Sequence, residues 1–429
     1  MLHVPRLRAA ARTLALCRGN ASLSAAPTAG AGSTPAPHPH PQGEPKTAGR
    51  KTKRQLLKRA PISLDNPRTW NRPVTPGLIP AFDQALKYIQ RDSANIEAES
   101  KELASNITVK EAEWQKAEGE AKAQLDAELE SMREKLHILH VQSQVNLPEV
   151  RWKVRNAMAD MSIPAHRHLV EHRWRKDGDL DLLMERIYQM DVVPDVLPEI
   201  NPTIDLKVVV RTMGAQQLKE HDRKPEFNVE PGRFLDAGNT IERPRLYADV
   251  FHTDTRLYTM LLVDPDVPNP ETASYTTFLH WLQPNVPLSA STTRISGLNN
   301  HTKYIPPHPQ KGTPYHRYTV LLIPQPPKEG ETYTRNTEAR AKDGEVTSKE
   351  IEVDVIGEEG RKGFDVREFC ERHGMSCKEG GAVHMWREVW SERTNKVYRE
   401  ILKQPEPVFG RPPKPDRYAE IRGRKKYIS

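Results

Sequence analysis

Cysteine is scarce: Cys17, Cys370 and Cys377 are the only three in 429 residues, and no CxxC pair occurs. So few thiols exclude a disulfide framework, fit a reducing compartment and leave no thiolate zinc site to consider. Long apolar runs are missing too. Nothing approaches the ~20 residues that cross a bilayer, so no membrane span is expected. Aromatics make up 6% of the chain and hydrophobic residues 36%, against 37 prolines and a mean hydropathy of −0.72. That is too polar for one continuous core of this length, and it predicts that sizeable parts are extended or ordered by a partner. A GxSxG elbow, an HExxH helix and a GxGxxG turn after a strand are all absent, and the glycines of 357–363 lack the spacing of a Walker loop. With no nucleophile to name, neither enzymatic activity nor a cofactor is expected.

Acidic residues are absent from 1–43, where Arg6, Arg8, Arg12 and Arg18 alternate with Leu2, Leu7, Leu14 and Leu16 before an Ala/Ser/Pro/Gly-rich stretch. An arginine-bearing, acid-free start is the pattern of a mitochondrial transit peptide. Residues 1–45 are therefore expected to be a presequence and low-complexity linker, cleaved somewhere in 18–45, which places the protein in the mitochondrial matrix. The Asn-x-Ser/Thr triplets at Asn20, Asn106 and Asn300 are then chance matches.

The net charge of +7 hides an asymmetry: residues 1–80 carry +11, residues 403–429 carry +5, and the stretch between them carries −9. Basic ends around an acidic body argue for polyanion contact through the ends. Charge alone equally suits solvated tails that aid solubility. Residues 46–80 form a basic arm kept extended by its prolines, with a cluster at Arg50, Lys51, Lys53, Arg54, Lys58 and Arg59. Arg68 and Arg72 flank Trp70, an interleaving that suits phosphate contacts and stacking in an RNA groove, with a flexible linker as the alternative. The tail 403–429 mirrors this arm, proline-rich and ending in Arg422, Arg424, Lys425 and Lys426.

Residues 81–190 read as a helical region. Pro80 suits a helix start and Pro148 a stop, and Leu125, Leu129, Met132, Leu136 and Leu139 recur at helical spacing. The run is expected to break at 106–109, with Thr108 as N-cap and Glu111 completing a capping box. His166, His168 and His172 invite a metal reading, but positions two apart do not share a helix face. Exposed or RNA-facing histidines suit the pattern better, and no metal site is expected.

Residues 204–210, 258–263 and 315–323 are apolar runs of strand length, and Pro265 and Pro324 are expected to end the latter two. Asp264, Asp266, His316 and Tyr318 lie at those strand ends, with His280 between them in sequence, which predicts a small polar pocket in the mouth of a sandwich. Residues 326–362 are polar and Gly/Thr-rich, and read as a surface excursion.

Those residues carry a resemblance. DPDVP from Asp264, His280 sixteen residues later, and KGTPYHRY at 311–318 are similar to the signature of the phosphatidylethanolamine-binding protein (PEBP) family. GFDVREFCERHGM at 363–375 and the segment 390–402 resemble that family's C-terminal helical part, so the likeness covers roughly the last half of the chain. It implies an α+β fold: a PEBP-like antiparallel β-sandwich over 191–402 with C-terminal helices, preceded by the helical region and flanked by the extended basic arms. It further implies that Asp264, Asp266, His280, His316 and Tyr318 line an anion cavity, in which His and Tyr donors hold the anion and the carboxylates orient the imidazoles. Ile305 stands where the family has glycine, and His308-Pro309 looks like an insertion. The pocket is accordingly expected to be vestigial, kept as a hydrogen-bonded fold element. The presequence and extensions resemble those of PEBP-like proteins in the large subunit of the mitochondrial ribosome. That implies a structural role in mitochondrial translation, with large-subunit ribosomal RNA and other large-subunit ribosomal proteins as partners and the basic arms as RNA contacts. A PEBP-like phosphate or lipid-headgroup-binding regulator of the matrix is the competing reading, and it expects an open pocket and dispensable ends.

Overall fold

The computed structural model describes residues 68–328, 333–341, 345–376, 378 and 380–410. Residues 1–67, which hold the expected presequence and most of the expected basic arm, lie outside them, as does the tail beyond residue 410.

Helices α1 (Pro80–Trp114) and α2 (Gly119–Val145) form a long hairpin, followed by α3 (Pro148–Arg155), α4 (Pro164–Lys176) and α5 (Asp179–Gln189). Proline occupies the first turn of α1, α3 and α4, where its missing N–H costs nothing. The expected break at 106–109 does not occur. Ile107 is buried inside α1, Thr108 Oγ1 donates back to the Ser105 carbonyl at 2.7 Å, and the chain turns instead at 115–118. A threonine hydroxyl can satisfy itself on the preceding turn as readily as it can cap a new helix, so the capping pattern alone does not decide. Leu129 and Leu139 are buried, and Leu125, Met132 and Leu136 half-buried, so the apolar stripe of α2 is covered. No helix among the described residues is long and apolar enough to cross a membrane.

The β body is built on a five-stranded sheet in the order β3-β8-β7-β5-β6. Its strands are β3 (Phe234–Leu235), β5 (Arg256–Asn269), β6 (Ser274–Leu288), β7 (His316–Pro324) and β8 (Ala382–Glu388). A smaller sheet, β2-β1-β4, comprises β1 (Asp205–Arg211), β2 (Glu226–Asn228) and β4 (Arg245–Asp249). All pairings are antiparallel except the short β3–β8 pair, which is parallel. Between the sheets lies an apolar core that includes Val208, Leu246, Met260, Leu262, Trp281, Val320 and Trp386. The other face of the large sheet is covered by a second cluster, in which Leu183 and Ile187 of α5 meet Leu261, Leu279, Leu321, Phe369 and Met385. Burial on both faces explains why β5 and β7 read as continuous apolar runs with no alternation. It also places α5, N-terminal to the boundary expected at residue 191, in the packing of the β body.

Pro265 does not end β5. Pairing with β6 continues to Asn269 through a register shift between Asp264 and Val267. Past Val263 the strand pairs only with β6, and a bulge removes the need for a ladder donor at the proline. Pro324 does end β7.

The described part of 326–362 is stitched into the fold. Ser348 Oγ accepts from Leu257 N at 2.8 Å, Thr347 N donates to the Thr255 carbonyl at 3.0 Å, and Ile351 is buried. Its short helix Arg335–Arg340 grips α2: Glu130 accepts from the backbone N–H of Arg335 at 2.7 Å and of Asn336 at 2.8 Å. Asn336 Nδ2 donates to the Asp126 carbonyl at 2.9 Å, and its Oδ1 accepts from buried Arg133, which also pairs with Glu111 of α1. Polar composition here marks a clasp between layers, whose side chains find partners some two hundred residues upstream.

Candidate functional site

The site gathers Asp264 and His280 from within β5 and β6 and His316 and Glu388 from the ends of β7 and β8. On β7, His316 places Nδ1 2.8 Å from Asp264 Oδ2 and Nε2 2.9 Å from Thr313 Oγ1, and all but Thr313 are buried. The order Asp264–His316–Thr313 has the connectivity of a nucleophile relay. The threonine proton, however, is donated to the Gln310 carbonyl at 2.8 Å. A hydroxyl whose one proton is held by a carbonyl is not poised to pass it to the imidazole.

His280 is fully buried on β6. Its Nδ1 lies 2.9 Å from the Ile305 carbonyl, Ile305 N donates back to the His280 carbonyl at 2.9 Å, and Nε2 has no partner among the described residues. Its ring packs 5.2 Å from Tyr318, 5.0 Å from His308 and 4.9 Å from Phe278. Burial pushes the pKa of His280 well below the ordinary imidazole value, helped by nearby His308, and lowers that of His308 as well. Both rings are thus neutral. The group offers fixed dipoles where a cationic anion trap would need charge. Beside them Glu388 is buried with Oε1 accepting from Trp386 Nε1 and Thr240 Oγ1, each at 2.8 Å, while Oε2 is unpartnered among the described residues. Desolvation raises its pKa to about 8. Tyr318, stacked between His316 and Trp386, is held as a neutral phenol by burial and by the adjacent carboxyls.

Four of the five predicted pocket residues, Asp264, His280, His316 and Tyr318, thus form one buried polar cluster. Asp266 does not join them. It takes a two-pronged bond from Arg317 (Nε at 2.9 Å, Nη2 at 2.7 Å) plus the Arg317 backbone N–H, and Arg317 also reaches Asp195 and the Met190 carbonyl. A carboxylate committed to a guanidinium fork is a structural tie, which the sequence spacing from Asp264 could not reveal.

A cavity of about 810 Å³ opens beside the cluster, lined by Phe278, Ile305, His308, Gln310, Lys362 and Tyr398 among others. None of the five predicted residues lines it. Ile305 lines this cavity, and so does His308 of the apparent insertion: its ring stands between His280 and Tyr398 and edge-on to Phe278, and Tyr398 donates to its carbonyl at 2.9 Å. Tyr398 and Glu388 carry no signal in the sequence, whereas His308 stands out through the extra residues in YIPPHPQKGT. Part of its wall is supplied by the chain's own Gln404, Pro405, Pro407 and Phe409. Phe409 N donates to the Lys311 carbonyl at 2.7 Å, and a Cβ on Gly312 would fall 1.8 Å from the Phe409 carbonyl oxygen, so glycine is required at that crossing.

Of the predicted RNA contacts, Arg68 is exposed, whereas Arg72 is committed internally to Asp83, to the Val74 carbonyl at 2.7 Å and to the face of Phe82. Arg50, Lys51, Lys53, Arg54, Lys58, Arg59, Arg422, Arg424, Lys425 and Lys426 lie outside the described residues. His166 is buried and accepts from Asp160 N at 2.9 Å, and no metal-holding group of His, Cys, Asp or Glu occurs among the described residues. Burial pushes the Cys370 thiol up to about 12, which leaves it unreactive.

Residues 224–376 match the family model described as phosphatidylethanolamine-binding protein. The β body is a PEBP-like domain. Over 256 residues the chain is 28% identical to large ribosomal subunit protein mL38 of Schizosaccharomyces pombe, covering 59% of this chain and 70% of that protein. It is 25% identical over 227 residues to the putative odorant-binding protein A5 of Drosophila melanogaster (53% and 90% covered). Over 135 residues it is 33% identical to protein FLOWERING LOCUS T of Arabidopsis thaliana (31% and 65% covered). The PEBP-like domain thus occurs in relatives of several kinds, and it supplies a fold that does not by itself name a task.

Proposed function

We propose that this chain is a structural constituent of the large subunit of the mitochondrial ribosome, working in the mitochondrial matrix. One observation carries the reading: the likeness to large ribosomal subunit protein mL38 runs over 256 residues and 59% of this chain, further than the 227 residues (53%) shared with the putative odorant-binding protein A5 or the 135 (31%) shared with FLOWERING LOCUS T. In this reading the PEBP-like domain is a rigid docking block. The basic ends, with Arg50–Arg59 and Arg422–Lys426, hold ribosomal RNA and adjoin neighbouring ribosomal proteins. About six phosphate contacts would make affinity fall about a thousandfold between about 50 and about 200 mM salt. A non-enzymatic role suits a site whose one hydroxyl–imidazole–carboxylate line has its proton aimed at a carbonyl. Sedimentation of a matrix extract at low salt tests the assignment. Cofractionation with the large subunit is expected, and a peak confined to small unassembled proteins overturns it.

The cavity beside His308 supports a second reading, a phosphate or lipid-headgroup binder. The neutral imidazoles of His280 and His308 weigh against it. Saturable binding of phosphorylethanolamine to the ribosome-free protein would favour it.

A further inference from the structure

We propose that α4, with the adjoining edge of α2, is a second RNA-phosphate-binding face, in addition to the basic ends. It rests on the ribosomal reading above and assigns part of that contact to the folded body. Within the stretch 81–402, of net charge −9, residues 151–176 hold seven Lys/Arg against Asp160 and Glu171, a local excess of +5. On α4, His168, His172 and Lys176 follow one another at four-residue spacing and are exposed, with Arg173 exposed beside them. They make a stripe about 12 Å long. Lys153 and Arg175 are paired with Glu149 and Glu171, but Arg173 and Lys176 have no carboxylate partner among the described residues. The field extends across α2. Half-buried His137 is held neutral, its pKa lowered to about 4 by burial and then by Arg335, Arg167, His140 and His168 around it.

The surface is as poor in apolar groups as it is rich in cations. Among the described residues no large apolar side chain is exposed between Ile138 and Leu182. A protein partner needs an apolar centre to its interface, whereas nucleic-acid interfaces are polar and positively charged. The rod itself is fixed. Ala165, Val170 and Trp174 are buried beneath it, and Arg167 Nη1 ties its start to the carbonyls of Met161 at 2.8 Å and Ser162 at 2.9 Å. Cations on an anchored helix set an orientation on the RNA.

The test is titration of the full-length chain with a fluorescein-labelled 20-base-pair RNA duplex over a KCl series. Three variants are compared: Arg173→Glu with Lys176→Glu on α4, Lys87→Glu with Arg91→Glu on α1, and alanine at Arg50, Lys51, Lys53 and Arg54. All the substituted helix positions are exposed, so thermal midpoints should match wild type. The α4 pair should weaken binding at least tenfold near 100 mM KCl and flatten the salt slope by about 1.5 to 2, two phosphate contacts' worth. The α1 pair, equal in charge change, should stay within twofold. Equal losses in the two helix variants would reduce the effect to net charge and overturn the inference. Unchanged binding by the α4 pair, with loss in the alanine variant, overturns it while leaving RNA contact through the ends intact. Failure of wild type to bind sinks the RNA reading as well. Wild-type RNA affinity in the α4 pair, together with loss of a protein crosslink from the sedimenting particle, would reassign the face to an acidic protein.

Discussion

The helical hairpin and the PEBP-like domain bury their side chains in opposite ways. In the 35 residues of α1 only Ser100 and Ile107 are buried, whereas β5 buries eight residues in succession from Leu257 to Asp264. The sheet is covered on both faces, so its strands gain stability from apolar burial. The hairpin is covered on one side and depends on directed polar contacts to Arg335–Arg340. One region is held by area on two faces, the other by a single apolar stripe that includes Leu129 and Leu139 together with a few named bonds.

Removing area should have the largest effect. Trp386→Ala, at a fully buried indole in the inter-sheet core, is expected to cost about 3–5 kcal/mol in guanidinium unfolding followed by tryptophan-independent circular dichroism. A loss under about 1 kcal/mol would mean that the domain's stability does not reside between its sheets. Next comes titration of the buried polar groups. Glu388 has a folded pKa of about 8 against an ordinary 4.5, so between those values the folded chain keeps a proton that the unfolded chain has released. Stability should fall as pH rises across that window, by an amount on the order of a few kcal/mol. His384, buried on β8 with Nε2 2.9 Å from the Val229 carbonyl, acts in the other direction. Its folded pKa of about 4 against 6.5 makes stability fall as pH drops through that range. Glu388→Gln should flatten the alkaline limb alone, and an unaltered limb in that variant would acquit the carboxyl. The smallest effect belongs to the clasp. Asn336→Ala strips Arg133 of one acceptor and should cost about 1–3 kcal/mol. Amide exchange should quicken in α2 and stay unchanged in β5, and equal acceleration in both would erase the distinction between the regions.

Much of the fold could be read from local pattern. Continuous apolar runs gave β5 and β7, and a four-residue stripe gave α2. The misses share a cause. Pro265 was read as a stop because a bulge depends on the partner strand, and Thr108 as a cap because Ile107 is held by its hairpin neighbour. In the site, Asp264 and His316 followed from their motifs, whereas the diversion of Asp266 to Arg317, the placement of His308 against Tyr398 and the burial of Glu388 depend on residues far away in sequence. Polar composition suggested an excursion at 326–362, because hydrogen-bonding side chains look alike whether they face water or Glu130.

The clasp also imposes an order in time. Asp126, Glu130 and Arg133 meet Asn336 across more than two hundred residues of chain. At about 5–20 residues per second of synthesis, α2 is complete on the order of 10–40 s before its latch emerges. During that interval the nascent hairpin shows an uncovered flank to chaperones and premature partners, and closure over it reports that β1 to β7 have been made while β8 is still to come.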